Sequence, residues 1–253
     1  MVTLKSKREI DIMRDAGRIV AEVLRILRGQ CRPGIKTRDL DRIAEEETLK
    51  RNGRPAFKGY RGYPGSLCAS VNQEVVHGIP GSRELKEGDI IGLDFGVLYN
   101  GYYGDASISV PIGQVAPEVE ALLRVTEECL YLGIAQAVVG NHLVDISRAI
   151  QNHAESHGYS LVKELGGHGI GKRMHEEPMV LNYVTNGRGI KLQPGLVLAL
   201  EPMVNLGTER VITLADGWTV VTADGKPSAH FEHTVAISES GPEILTRAAE
   251  PVA

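Results

Sequence analysis

Apolar residues recur at helical spacing in the first long segment, where Ile10, Met13, Ile19, Val20, Val23, Leu24 and Leu27 follow Ser6-Lys7-Arg8-Glu9. A serine followed three positions later by glutamate is a capping-box pattern, so the spacing predicts an amphipathic helix closed near Gly29. After Pro33-Gly34, Thr37 is placed to cap a second helix with Leu40, Ile43 and Ala44 on its apolar side, running to about Arg51. Glycine and proline then become frequent, and Ser66 to Val71 and Glu74 to Val76 read as extended. Asp89 to Val97 and Tyr102 to Val110 have strand character on either side of Asn100-Gly101, a strong hairpin signal. Pro117 opens a helical stretch to about Val139, Gly140 breaks it, and Val144 to His157 is again helical.

The plan of the first half recurs in the second. Leu85 to Asp94 aligns without gaps on Leu192 to Glu201, each reading Leu-x-x-Gly, apolar strand, carboxylate. Upstream, Gly34, Asp39, Leu40 and Arg42 match Gly140, Asp145, Ile146 and Arg148. One helix–helix–strand unit thus occurs twice, which predicts two pseudo-symmetric halves, about 1–115 and 116–253, within a single domain spanning 1–253. A two-fold pairing of the halves brings Asp94 and Glu201 to equivalent central places.

Both of those carboxylates end apolar runs of buried-strand type, where an unpaired charge is very costly. Neighbouring strands bring two more acids, Asp105 in Tyr102-Tyr103-Gly104-Asp105 and Glu232 in His230-Phe231-Glu232-His233. Two carboxylates about 4 Å apart repel by roughly 4 kcal/mol at an effective dielectric near 20. Protonation or bound divalent cations must relieve four of them. His168, in Gly166-Gly167-His168-Gly169-Ile170-Gly171, is a natural nitrogen ligand. Two Asp, two Glu and one His make an oxygen-rich set, unlike the Cys/His cage of structural zinc, and point to a dinuclear hydrolytic centre. Singly, each acid has a plain alternative: Asp105 as a turn cap, Asp94 as a strand end, Glu201-Pro202 as a surface corner. Gly166 to Lys172 also fits GxxxxGK, but Arg173 stands where a nucleotide loop needs Ser or Thr for magnesium, and a helix rather than a strand precedes the tract.

Composition narrows the class. A chain of 253 residues with 42% hydrophobic and 24% charged residues is long enough for a full core. A net charge of −4 with both signs interspersed gives no broad field for nucleic acid, so DNA is not an expected partner. No apolar run reaches the ~18 residues of a membrane span, and the N-terminus lacks a signal-peptide core. Cys31, Cys68 and Cys129 form no CxxC pair and suit a reducing compartment; the expected location is cytoplasmic.

Several tracts together resemble one family: Tyr60-Arg61-Gly62-Tyr63-Pro64, Val71 to Pro80 (VNQEVVHGIP), Gly167 to Gly171, His175-Glu176-Glu177-Pro178, Glu201-Pro202-Met203 and Glu232-His233-Thr234. In order and spacing the chain resembles the type I methionine aminopeptidases, in their short bacterial form, over nearly its whole length. The resemblance implies an α+β pita-bread fold, a curved antiparallel β-sheet flanked by helices with an internal pseudo-two-fold. It implies two divalent metal ions per chain (cobalt, manganese, iron, nickel or zinc) held by Asp94, Asp105, His168, Glu201 and Glu232, with Asp105 and Glu232 bridging. A metal-bridging water would attack the carbonyl after an initiator methionine whose next residue is small, with Glu201 as proton acceptor and His77 and His175 as catalytic, substrate-contacting histidines. Tyr60, Tyr63, Cys68 and Trp218 would wall the methionine pocket. Met174 and Phe57 depart from one familiar version of the pattern and bear on pocket shape. A monovalent cation near Asn72 and Ser228, transient ribosome contact, and a monomer also follow from the resemblance. Two other readings stand beside it: a proline-directed relative of the same fold, and a non-catalytic binding protein built on it.

Overall fold

A computed structural model of the chain describes residues 2–247. Four helices form where the apolar periodicity places them: α1 (Lys7–Gln30), α2 (Thr37–Lys50), α3 (Pro117–Ala135) and α4 (Leu143–Ser156). The capping box at Ser6 is present, with Glu9 accepting from the Ser6 backbone N–H at 2.8 Å. Thr37 does not cap α2: Lys36 is the N-cap residue, and the Thr37 hydroxyl donates instead to the Gly81 carbonyl. Helix α3 ends at Ala135, not Val139, because the Asn141 side chain donates to the Gln136 carbonyl that a further turn would need.

Nine strands make the main antiparallel sheet: β1 (Arg54–Pro55), β2 (Cys68–Val71), β3 (Ile90–Tyr99), β4 (Tyr102–Pro111), β5 (Gly167–Gly169), β6 (Glu176–Val180), β7 (Val197–Leu200), β8 (Glu232–Ser238) and β9 (Gly241–Ile244). Their order is β1-β3-β4-β8-β7-β5-β6, with β2 beside β3 and β9 beside β8. Asn100 and Gly101 both take positive φ, +48° and +84°, as the two-residue turn between β3 and β4 requires. The extended run before β2 starts pairing only at Cys68, since the N–H groups of Ser66 and Leu67 are taken by the Asp41 carboxylate. Two three-stranded sheets complete the fold: Met203–Asn205 with Ser228–His230 and Ser160–Leu161, and Val220–Thr222 with Val211–Thr213 and Glu74–Val76.

The repeat is visible residue by residue. Helix α4 begins and ends 106 positions after α2, Leu143 for Thr37 and Ser156 for Lys50. Strand β7 begins 107 positions after β3, Val197 for Ile90. Even the isolated bridges correspond, Lys36 with Glu84 and His142 with Lys191. Each pair of helices covers one half of the sheet. Ile91, Leu93, Phe95 and Val97 of β3 with Ala106 and Val110 of β4 pack against Val20, Leu24, Leu27 and Leu40. In the second half Leu198 and Leu200 of β7 with Val235 and Ile237 of β8 pack against Leu122, Leu130, Ile146 and Ile150. Because strand side chains alternate faces, Asp94, Asp105, Glu232 and Glu201 fall on the face turned away from the helices.

Candidate metal centre

Five consecutive strands of the sheet each deliver one donor. In the order β3, β4, β8, β7, β5 these are Asp94, Asp105, Glu232, Glu201 immediately after β7, and His168. Neighbouring strands lie about 4.7–4.9 Å apart, so same-face side chains at matched register converge. The register is matched: Asp94 lies opposite Ser107, Ser107 opposite Glu232, and His168 opposite Ala199, two residues before Glu201. Asp105, His168 and Glu232 bring ligand atoms within 4.8 Å of one another, and His168 Nε2 is 3.7 Å from Glu201 Oε1.

Three carboxylate oxygens in this cluster, Asp94 Oδ1, Asp105 Oδ1 and Glu232 Oε1, are buried without a hydrogen-bond partner. Asp105 and Glu232 are 4% and 2% exposed. Among the described residues no lysine or arginine pairs with the cluster's oxygens, so desolvation raises all four acids and repulsion from neighbouring carboxylates adds to it for Asp105, Glu201 and Glu232. Asp94 is pushed up to about 7 by burial; Glu201 is held well above the carboxylate range by burial and then the Asp94 charge, and Asp105 and Glu232 by burial and then the charges of their neighbours, Asp94 and Glu201 among them. Burial lowers His168, keeping its ring neutral, and its Nδ1–H donates to the Gly169 carbonyl at 2.9 Å, so the Nε2 lone pair faces the acids. These residues fit bound divalent metal, which would supply partners for the orphan oxygens, offset the repulsion and take the imidazole lone pair.

The cluster forms one wall of a cavity of ≈ 140 Å³. The other walls are Phe57, Tyr60, Arg61, Tyr63, Cys68, His77, Met174, His175 and Trp218. Every residue singled out for the metal, catalytic and pocket roles therefore meets in one place. Tyr63 is fixed by donating to the Leu67 and Gly78 carbonyls, and Trp218 stands edge-on to it with ring centroids 5.2 Å apart. Phe57 and Met174, the two departures, are both buried in the same apolar cluster as Tyr63 and Cys68. His175 stacks on Tyr60, its Nδ1 2.9 Å from the Tyr60 hydroxyl, and its ring centroid lies 4.2 Å from that of His168. Desolvation, and then His168, push His175 down to about 3, and desolvation lowers His77.

His77 takes φ +60°, a left-handed conformation that costs on the order of 1–3 kcal/mol and persists only where surroundings impose it. The constraint comes from Gly78: a Cβ there would lie 2.5 Å from the Ala69 carbonyl oxygen, so the loop hugs β2 and turns His77 into the cavity. Asn72 and Ser228 are neighbours, with the Ser228 N–H donating to the Asn72 carbonyl at 3.0 Å. The GxxxxGK tract passes through β5 into a series of bends and no helix follows Lys172, so it lacks the helix N-terminus of a phosphate loop.

Three residues near the cluster stand inside quoted tracts without a role in the sequence reading. His230 is 3% exposed, its Nε2 lacks a partner and lies 3.7 Å from Glu201 Oε2; burial, and then His77, push it down to about 3. Strand alternation back from Glu232 was the signal that could have found it. Thr234 Oγ1 accepts from the Asp105 N–H and donates to the Asp105 carbonyl, clamping β4 to β8 where their backbones separate. Arg61 sits at the rim with φ +49°, its guanidinium 5.4 Å from the Tyr60 ring.

Comparison with known proteins gives the same reading. Residues 11–239 match the model of metallopeptidase family M24. The methionine aminopeptidase of Clostridium perfringens is 55% identical over 97% of this chain and 99% of its own. Methionine aminopeptidase 1 of Bacillus subtilis is 52% identical over 98% of this chain and 100% of its own. The crystal structure of the Thermotoga maritima methionine aminopeptidase superposes with a TM-score of 0.96 at 44% identity, covering 98% of this chain and all of that one. The curved sheet with its four helices is accordingly the pita-bread fold, and the chain is an enzyme of metallopeptidase family M24, on its methionine aminopeptidase branch.

Proposed function

We propose that the enzyme removes the initiator methionine from new polypeptides whose second residue is small, with a dinuclear metal centre held by Asp94, Asp105, His168, Glu201 and Glu232. The observation that carries this reading is the row of five donors on adjacent strands with three orphaned carboxylate oxygens. When bound, a pair of divalent ions supplies a water of lowered pKa and positive charge against a developing oxyanion.

The chain's own residues do the rest. Glu201 stands at the junction of the cluster and the cavity and accepts the proton of the attacking water, for which hydrogen-bond reach is the requirement. His77 and His175 are held neutral. With the Tyr60 hydroxyl donating to Nδ1, the Nε2–H of His175 is free to donate to the substrate carbonyl, as an oxyanion donor does. Tyr60, Tyr63, Cys68 and Trp218, joined by Phe57 and Met174, form a soft, polarizable lining suited to a thioether. The cavity volume is similar to the ~150 Å³ known to admit a benzene-sized guest. His77 and Trp218, with ring centroids 6.1 Å apart, are walls of the same small cavity, which supports a preference for a small second residue.

The test is to strip the enzyme with a chelator, restore single divalent ions, and follow methionine release from Met-Ala-Ser beside an Xaa-Pro peptide. Release of methionine that returns only with metal, with the Xaa-Pro peptide left intact, is the expected result. Cleavage of the Xaa-Pro peptide alone would select the proline-directed reading, and turnover by the stripped enzyme would refute the metal reading.

A further inference from the structure

Helices α3 and α4 carry a second group of ligand-type side chains, on elements that back the sheet face opposite the carboxylate cluster. Glu128 of α3, His153 of α4 and His157, the residue that caps α4, bring ligand atoms within 4.8 Å of one another. His153 Nε2 lies 2.7 Å from Glu128 Oε2, and the two imidazole centroids are 4.5 Å apart. We propose that these three residues form a separate surface site for one late first-row divalent ion, Zn²⁺ or Cu²⁺.

Four features of the chain support it. Residues four apart on a helix share a face, so the His153/His157 spacing presents two imidazoles to one point, while Glu128 reaches that point from the neighbouring helix. The C-terminal end of α4 carries the negative pole of the helix dipole and favours a cation there. The donors are also held from behind. Arg124 Nη1 occupies Glu128 Oε1 at 2.9 Å and leaves Oε2 turned to His153, and the His153 carbonyl accepts from His157 Nδ1 at 2.9 Å. A carbonyl can only accept, so His157 Nδ1 carries the hydrogen and its Nε2 lone pair is free for an ion. Finally, a groove lined by Arg124, Glu127, Tyr131 and Leu132 adjoins Glu128 and His153 and leaves room for water in the remaining coordination position.

A tetrahedral ion with bonds of about 2.0–2.1 Å separates its ligand atoms by about 3.3 Å. Side-chain shifts of about an ångström bring the present spacings to that value. The ion would take the place of the Nε2 hydrogen that His153 directs at Glu128: a neutral ring keeps its one hydrogen by moving it to Nδ1, and an imidazolium releases one proton to solvent. Two imidazoles and one carboxylate favour zinc and copper over manganese, magnesium or calcium. This site stands independently of the peptidase reading.

The experiment compares zinc content after equilibrium dialysis for the Asp105→Ala chain with and without His157→Ala, and with and without Glu128→Gln. Each second substitution is expected to remove one zinc equivalent or to weaken it at least tenfold, whatever the carboxylate cluster still binds. In the unmutated chain, the imidazole NMR signals of His153 and His157 should shift on adding zinc and stay unmoved on adding magnesium. Equal zinc content with and without His157→Ala, or histidine signals that ignore zinc, would overturn the proposal.

Discussion

The two halves of the molecule use one skeleton to different ends. In the first, Asp94 and Asp105 sit on a single hairpin, β3 and β4, closed by the two-residue turn at Asn100-Gly101. In the second, Glu201 follows β7 and its partner Glu232 begins β8, with Met203–Asn205, Trp218 and the Val220–Thr222 strand between them. The matched helices and bridges show that the halves share a frame, so the contrast lies in what is inserted. The tight hairpin delivers two short carboxylates with little freedom. The interrupted pair uses longer glutamates to reach the same point and spends the intervening chain on a wall of the cavity. A duplicated unit thus supplies the charge, while the apolar walls come mostly from the first half, between α2 and β3, with Met174, His175 and Trp218 added by the second.

If each half contributes one indispensable bridging carboxylate, Asp105→Ala and Glu232→Ala should be equally damaging. Both are expected to lower methionine release by more than the about 10–100-fold typical of outer-shell metal partners. Unequal losses in a Met-Ala-Ser assay, with one variant keeping a tenth of the activity, would break the equivalence. The helix layers should behave alike as well. Leu40 and Ile146 occupy matched positions and are both fully buried. Each substitution by alanine should cost about 2–5 kcal/mol in denaturant unfolding.

The joint between halves is tested by Thr234→Val, which removes the hydroxyl that satisfies both backbone groups of Asp105. A loss of about 1–3 kcal/mol is expected, the cost of leaving buried groups unpaired. A valine variant as stable as the parent would show that the joint carries no load. The smallest effect concerns acid. Backbone and side-chain hydrogen bonds from Ser6, with one from Tyr102, hold Glu9 down to about 2 from 4.5. A depressed carboxyl stabilises the fold above its unfolded value and loses that stability as pH falls from about 4.5 through about 2. Glu9→Gln should therefore flatten the acid limb of a thermal-stability profile in that window and leave pH 7 little changed apart from the lost cap.

Much of this was legible in the chain because it depends on local pattern. The apolar strand run at Asp89 to Val97, the Asn-Gly turn and the repeated Leu-x-x-Gly tract set the strands and pair Asp94 with Glu201 before any contact is known. What escaped depends on partners distant in sequence. The Thr37 hydroxyl serves Gly81 rather than its own helix, and Asp41 draws the N–H groups of Ser66 and Leu67 away from strand pairing. His230 lies two residues before Glu232, a local signal left unused, and its place is fixed by a neighbouring strand pair, Ser228–His230 with Met203–Asn205. The cavity's apolar wall could be named from family likeness, but the burial of Phe57 and Met174 side by side comes from tertiary packing alone.

In the proposed reading the carboxylates of both halves gather a pair of cations. Anomalous diffraction from crystals of the full chain grown with Mn²⁺, which the surface histidines should bind weakly, tests it most directly. Two peaks roughly 3.5–4 Å apart, enclosed by Asp94, Asp105, His168, Glu201 and Glu232, are expected. Crystals with no peak among those five side chains, at manganese concentrations that support methionine release, would contradict it.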